Sequence, residues 1–430
     1  MVKVTDHNGK IVTYEYDPYE NLTKVTDPLG NNTVMGYDLR GRKTSVNDPD
    51  MGLWTYSYDG LDELLLQIDA KSQMVTLSYD ALGRRIQRTE PEGTTTWTYD
   101  SVWKGALTQV SAPNGYLRVH SYDALGRPQN TNTTINSLTH LTVNTYDAQS
   151  RPASITYPSG VQVTYSYNGN GYLEKVFETG LATPLWQRLS TDAFGHVTLF
   201  QQGGVTETTK AYDMARALPT AILTDPVPGG SGGSKQSLSY DWDAVGNLVE
   251  ATDQLQSGLR EEFEYDALNR MTRSRVYTGT SVLVSDNSQT YNAIGNILTK
   301  TGVGTYTYGA KPHAVSQITG ARTESYYYDN NGNQTSSSLR TFTWLSYNMP
   351  ASMQKGIAVQ QYQYGPDRER IRQVDQPLGL VGTIKDSSFV GEYERQDLSG
   401  TVQHKHYISA GGELVAIITR AAPVAACAAV

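Results

Sequence analysis

His404 and His406 form an H-x-H pair, and a strand would set both imidazoles on one face. Two imidazoles can begin a zinc site, but a third ligand has to converge on them. The other histidines, His7, His120, His140, His196 and His313, are scattered through distant segments, so no metal site is assigned. Glycosidase chemistry needs two facing carboxylates. Glu261, Glu262 and Glu264 lie near one another, as do Glu392 and Glu394, but a chain with 43 acidic residues produces such neighbours by chance. No serine nucleophile elbow is present, and "GGSGG" at 229–233 lacks the Lys-Ser/Thr of a phosphate-cradling loop. The expectation is a chain with no enzymatic activity and no cofactor.

Aspartate recurs in a fixed context, which raises a calcium reading because carboxylates are hard oxygen ligands. The stretch "YDALGRR" at 79–85 returns as "YDALGRP" at 122–128 and "YDALNRM" at 265–271. Tyr16-Asp17, Tyr37-Asp38, Tyr58-Asp59 and Tyr79-Asp80 are spaced 21 apart. Tyr99-Asp100, Tyr122-Asp123, Tyr146-Asp147, Tyr167-Asn168, Thr191-Asp192, Tyr212-Asp213, Trp242-Asp243, Tyr265-Asp266 and Tyr291-Asn292 continue the series. Tyr308-Gly309, Tyr328-Asp329, Tyr347-Asn348 and Tyr364-Gly365 are weaker members, making seventeen copies. Each turn supplies one Asp, and Asn or Gly replaces it at several copies. A turn-forming role explains all three residue types, so calcium is not assigned.

The unit has a local logic. Asp80 stands three residues before Gly83, as in a type I turn with Asp first and Gly fourth. Gly41, Gly126, Gly171, Gly195, Gly246, Gly295 and Gly332 hold the same fourth position, and Asn269 replaces it once. An aromatic often precedes the signature by two residues (Tyr14, Tyr56, Trp97), on the same strand face. A second alternating run follows each turn and closes at "DPLG" (27–30), "EPEG" (90–93), "APNG" (112–115) or "YPSG" (157–160). Each repeat therefore reads as one β-hairpin.

Composition agrees with this reading. Aromatic content is carried by 30 Tyr against 6 Phe and 6 Trp, and 39 Gly with 17 Pro implies many turns. Net charge is -8, and the densest basic cluster, "RERIR" at 368–372, encloses an acid. A nucleic-acid binder concentrates its cations, so none is expected as a partner. Cys427 is the single cysteine, which excludes an intrachain disulfide. The N-terminal stretch lacks a signal-peptide apolar core, and no apolar run approaches the roughly 18 residues of a membrane span.

Seventeen stacked hairpins make an antiparallel strip of roughly 34 strands, about 160 Å long at about 4.8 Å per strand. So long an open sheet must coil with the hand of its twist, and a coil can enclose a space. The fold class expected is all-β, a coiled antiparallel strip of tandem hairpins. Residues 1–418 form the repeat region, with a flexible loop at about 226–236 inside "DPVPGGSGGSKQS". Residues 419–430 read as a low-complexity, Ala-rich tail.

The Y-D-x-x-G-R/N units with D-P-x-G turns between them resemble the YD repeats of rearrangement-hotspot (RHS) proteins, toxin-complex C components and teneurins. The resemblance spans residues 1 to about 418 and includes "YDNNGNQTSSS", "TWLSYNMPASM", "YQYGPDRERIRQV" and "HKHYISAGGELVA" near its end. It implies a spiral β-sheet wall, part of a hollow shell that encloses a C-terminal toxic effector in bacterial members. Such shells commonly close with a D-P-x-G-L motif, of which "DQPLGL" at 375–380 is a near miss. On this reading the chain is a truncated shell fragment of a polymorphic toxin, without core-associated segment or toxin. Its unpaired sheet edges should favour self-association. Its partners are the missing effector or other shell segments, and its parent is exported from a bacterium. The alternative is an extracellular carbohydrate-binding or adhesion module, with glycans as partners of the Tyr-rich faces.

Overall fold

The computed structural model describes residues 1–279, 281–377 and 385–421. Among these residues there are thirty-nine β-strands and no helix, so none crosses a membrane as one. Each strand is short, commonly five to seven residues, and pairs antiparallel with its neighbour in sequence, as Tyr14 with Val25 and Val25 with Thr33. The seventeen hairpins run from the strand Ile11–Tyr16 to the strand Arg370–Pro377. Five further strands flank them: Val2–Thr5 before, and Lys385–Val390, Tyr393–Leu398, Thr401–Ala410 and Glu413–Ala421 after.

Three local differences from the sequence reading have simple causes. The last strand continues through Ala421 because Thr419, Arg420 and Ala421 pair with Lys405, His404 and Gln403, so the expected tail loses its first three residues to the sheet. Residues 422–430, with Cys427, and residues 378–380 of "DQPLGL" lie outside the described residues. The fifteenth-to-sixteenth phasing also shifts. Trp344, not Tyr347, ends its strand, and Leu345 takes the first turn position by accepting the Asn348 N–H at 3.0 Å. Tyr347 sits inside the turn. The Gly/Ser loop occupies 227–235 and joins the paired strands Pro219–Pro226 and Gln236–Trp242.

The chain divides into two compact units. One comprises 1–140, 289–389 and 397–400, and the other 141–288, 390–396 and 401–430. In the first, Trp54, Trp97, Val110, Ile135, Ile318 and Ile371 are buried. In the second, Tyr157, Val163, Val176, Trp186 and Phe200 pack with Tyr393, Ile408, Val415 and Ile418. Each such side chain contributes about 1.5–3 kcal/mol when fully buried. The hairpins therefore gain stability from distant strands of their own unit as well as from adjacent ones.

Candidate functional site in the hairpin joints

The turn after each signature aromatic is held by its aspartate. Asp38 Oδ1 accepts the backbone N–H of Arg40 at 2.9 Å and of Arg42 at 3.0 Å, while Arg42 Nε donates to Oδ2 at 2.7 Å. Asp80 receives the same three bonds from Leu82 and Arg84, Asp123 from Leu125 and Arg127, and Asp266 from Leu268 and Arg270. At Asp17, Asp243 and Asp329 an Asn four residues on replaces the Arg as side-chain donor. Asp59 Oδ1 accepts the N–H groups of Leu61 and Glu63. The fourth turn residue donates back to the Asp carbonyl, as Gly83 to Asp80 O at 3.0 Å and Gly332 to Asp329 O at 3.1 Å. Its φ is positive: 76° at Gly41, 74° at Gly83, 76° at Gly126, 95° at Gly246 and 86° at Gly332. That is the left-handed region, which Gly enters at no steric cost and which Asn269, at 59°, also tolerates.

The signature aromatic does something the spacing does not disclose. A β-bulge falls immediately before it in all seventeen hairpins, for example between Glu15 and Tyr16, Ser78 and Tyr79, and Thr343 and Trp344. The extra residue lies on the returning strand, as Thr23 between Leu22 and Lys24, and such a bulge re-aims the side chains beside it. At most joints the ring then crosses to the preceding hairpin and donates to a backbone carbonyl there. Tyr37 Oη reaches Leu22 O at 2.9 Å, Tyr58 reaches Lys43 O at 2.9 Å, Tyr79 reaches Leu64 O at 3.1 Å, and Tyr122 reaches Leu107 O at 2.6 Å. Tyr265 takes Leu248 O at 2.7 Å, Tyr328 takes Val315 O at 2.9 Å, and Trp242 uses Nε1 on Pro219 O at 2.7 Å. Trp344 does the same to Gln334 O at 2.8 Å, which fixes its place in the series.

The accepting residue is always the one paired with the previous signature. Leu22 pairs with Tyr16, Lys43 with Tyr37, and Leu64 with Tyr58. Each of these rings is thus a hook between hairpins, where the strands splay apart beyond their short ladder, whereas Tyr212 stacks on His196 at 4.5 Å between centroids. Burial raises the hydroxyl pKa of Tyr37, Tyr79, Tyr122, Tyr265 and Tyr328, which keeps them as donors. The arginine of the motif closes the joint from outside: Arg42 lies 5.0 Å from the Tyr58 ring centroid and Arg84 lies 4.5 Å from that of Tyr99. Arg84 also holds the Asp80 carboxyl below the usual range, and lowers that of Asp100 to about 2. Sequence reasoning passed over this arginine and the hook. The available signal was the constant fifteen-residue step from Tyr37, Tyr58 or Tyr79 back to its acceptor.

Within each unit, turns far apart in sequence are also pinned to each other. In the first unit His313 Nδ1 meets Asp50 Oδ2 at 2.5 Å, and Asn331 Nδ2 meets buried Asp69 at 2.6 Å. Lys71 reaches Asp329 at 3.1 Å, Ser346 N–H donates to Glu92 at 2.7 Å, and Arg118 reaches Asp367 at 3.0 Å. Arg368 pairs with Glu90, which Arg88 also contacts at 2.9 Å, around a cleft of 170 Å³. In the second unit, Arg420 bonds Glu178 at 2.6 Å and Lys210 bonds Glu413 at 2.8 Å. Arg368, from the basic cluster at 368–372, is one of these pins.

The other candidate groups are absorbed by packing. His404 and His406 both lie against the Tyr393 ring, and Tyr393 Oη contacts His404 Nδ1 at 2.6 Å. Fully buried His406 has Nδ1 at 2.9 Å from Ile418 O, so that nitrogen carries the proton, and Nε2 at 2.7 Å from Ser159 Oγ, which donates to it. Burial lowers the pKa of both histidines. Glu262 and Glu264 pair with Arg275, and buried Glu394 accepts from Tyr407 at 2.7 Å. Among the described residues no group of three or more His, Cys, Asp or Glu is placed to hold a metal ion.

Like turns, like bulges and ring hooks repeated hairpin after hairpin define a tandem β-hairpin repeat protein. The RHS Repeat family matches residues 1–31, 21–52, 58–95 and 146–176, so these stretches are RHS repeats. The fold of the chain is that of a Photorhabdus luminescens Tc holotoxin pore structure, at a TM-score of 0.77 and 15% identity over 97% of this chain and 24% of that one. A TcdB2–TccC3 crystal structure matches at 0.75 and 15% identity, covering 95% of this chain and 25% of that one. The same pair without its hypervariable C-terminal region matches at 0.77 and 15% identity, over 95% and 24%. The chain thus spans about a quarter of the length of each. None of the curated proteins matches it.

Proposed function

We propose that this chain is a non-catalytic wall segment of an RHS-type shell, whose full-length parent encloses an effector polypeptide and is exported from a bacterium. The observation that carries this reading is the ring relay: the aromatic and Arg of the repeat are spent on joining one hairpin to the next, and its Asp and Gly on the turn between its own strands. A motif used for chemistry would leave its polar groups aimed at a ligand, whereas here hydroxyl, carboxylate and guanidinium meet partners in the chain. The same engagement favours packing over sugar stacking for the signature rings. Partners of such a wall are the enclosed effector and further shell segments.

Small-angle X-ray scattering of the purified chain tests the reading. A curved or hollow particle is the expected result, and a filled particle of the same mass overturns it.

A further inference from the structure

In the ninth repeat Thr191 stands where the other signatures carry Tyr or Trp. The backbone there still follows the pattern: a bulge precedes Thr191, and Asp192 Oδ1 accepts the N–H groups of Phe194 and His196 at 2.9 Å. What is missing is the ring. Leu173 pairs with Tyr167, the previous signature, so Leu173 O is the carbonyl that a hook at position 191 takes by the rule of the other joints. Threonine cannot span that distance, and an open cleft of 510 Å³ lies between the diverging strands Leu173–Glu178 and Trp186–Thr191. Thr191, Asn170, Tyr172, Glu174, Arg188 and Phe194 line it. By register Asn168, Tyr172 and Thr191 correspond to Asp38, Arg42 and Tyr58, so the cleft opens beside the position that carries a hooked ring at Tyr58. Tyr172 and Phe194 flank it at 63% and 62% exposure, and neither ring enters the sheet. The Arg188 guanidinium lies 5.3 Å from the Tyr172 ring centroid at the rim.

We propose that this cleft receives a tyrosyl side chain presented by an extended peptide segment of a partner. The 4-hydroxyphenyl ring supplies what Thr191 omits, and its hydroxyl donates to Leu173 O as Tyr167 does to Pro152 O at 2.9 Å. Asn170, Glu174 and Arg188 offer donors and acceptors to the peptide groups beside the ring. This requires only the joint geometry and is separate from the wall reading.

Saturation-transfer NMR on the full chain with p-cresol, N-acetyl-tyrosinamide and 4-methylanisole tests it. The expected order is N-acetyl-tyrosinamide tightest, then p-cresol, with 4-methylanisole about tenfold weaker than p-cresol because it cannot donate. Thr191→Tyr, which places the chain's own ring in the slot, should weaken binding at least about tenfold. Thr191→Phe is the second filler should the first misfold, with circular dichroism confirming strand content. Tyr167→Thr should open a second slot with the same ligand order. Absence of binding to the native chain, binding unchanged by both fillers, or binding of p-cresol without N-acetyl-tyrosinamide overturns the proposal.

Discussion

The joints at Tyr122 and Thr191 have the same turn and a different side chain at one position. At Tyr122 a single bulge precedes the ring, Asp123 is bonded to Arg127, and the hydroxyl is hooked at 2.6 Å to Leu107 O. At Thr191 the Asp192 turn forms with His196 in the Arg position, but the ladder carries a second irregularity between Arg188 and Ser190 and the strands part around open space. Turn formation is therefore local, set by the aspartate and the residue at positive φ. Attachment of one hairpin to the next is a separate task, and the ring performs it. An isolated two-stranded hairpin is marginal in water, so the second task decides whether the first persists.

The largest break in this comparison is Tyr122→Thr, which turns the hooked joint into a copy of the open one. It removes a half-buried ring and a hydrogen bond, and should cost about 3 kcal/mol. Urea unfolding of the full chain followed by circular dichroism measures it. A loss under about 1 kcal/mol would mean that the hook adds little beyond the backbone ladder.

That division of labour also explains what could be read from the sequence. The all-β class and the hairpin repeat were legible because strand alternation, Asp-to-Gly spacing and Pro/Gly turns are local signals. The donors that meet Asp80 all lie within four residues of it, so its turn could be reasoned from neighbours. The acceptor for Tyr79 is Leu64, in another hairpin, and the bulge that aims the ring leaves no residue type of its own. Tyr347 drew the phase toward itself because Tyr-Asn mimics the signature, while Trp344-Leu345 hides the turn without an Asx residue. Pins such as Arg368–Glu90 and Asn331–Asp69 join segments more than 250 residues apart, and each partner alone resembles an ordinary turn residue.

A smaller effect of opposite sign sharpens the comparison. Thr191→Tyr should raise stability by about 1 kcal/mol, as cavity-filling substitutions commonly do. The gain should fall to near zero in Thr191→Phe if the bond to Leu173 O accounts for most of it. Paired thermal unfolding of the two variants reads the difference directly.

The smallest expected effect lies in the carboxylates, where joints differ in the group that faces Asp. Arg84 donates to Asp80 and bridges to Asp100, lowering the Asp80 carboxyl and bringing Asp100 to about 2 from an ordinary 3.8. A carboxyl whose pKa is lower folded than unfolded favours the folded state once it is ionised. Its contribution is complete above pH 3.8 and is lost as pH falls toward 2, because the unfolded chain then binds the proton first. Stability of the native chain should therefore be flat with respect to these groups above about pH 5 and decline below pH 4. Arg84→Gln removes the shared partner, so the decline should be shallower and the native and variant curves should converge near pH 2. Urea midpoints from pH 2 to 6 measure both curves. Parallel curves would show that Arg84 acts on Tyr99 by stacking and leaves the carboxylates unaffected.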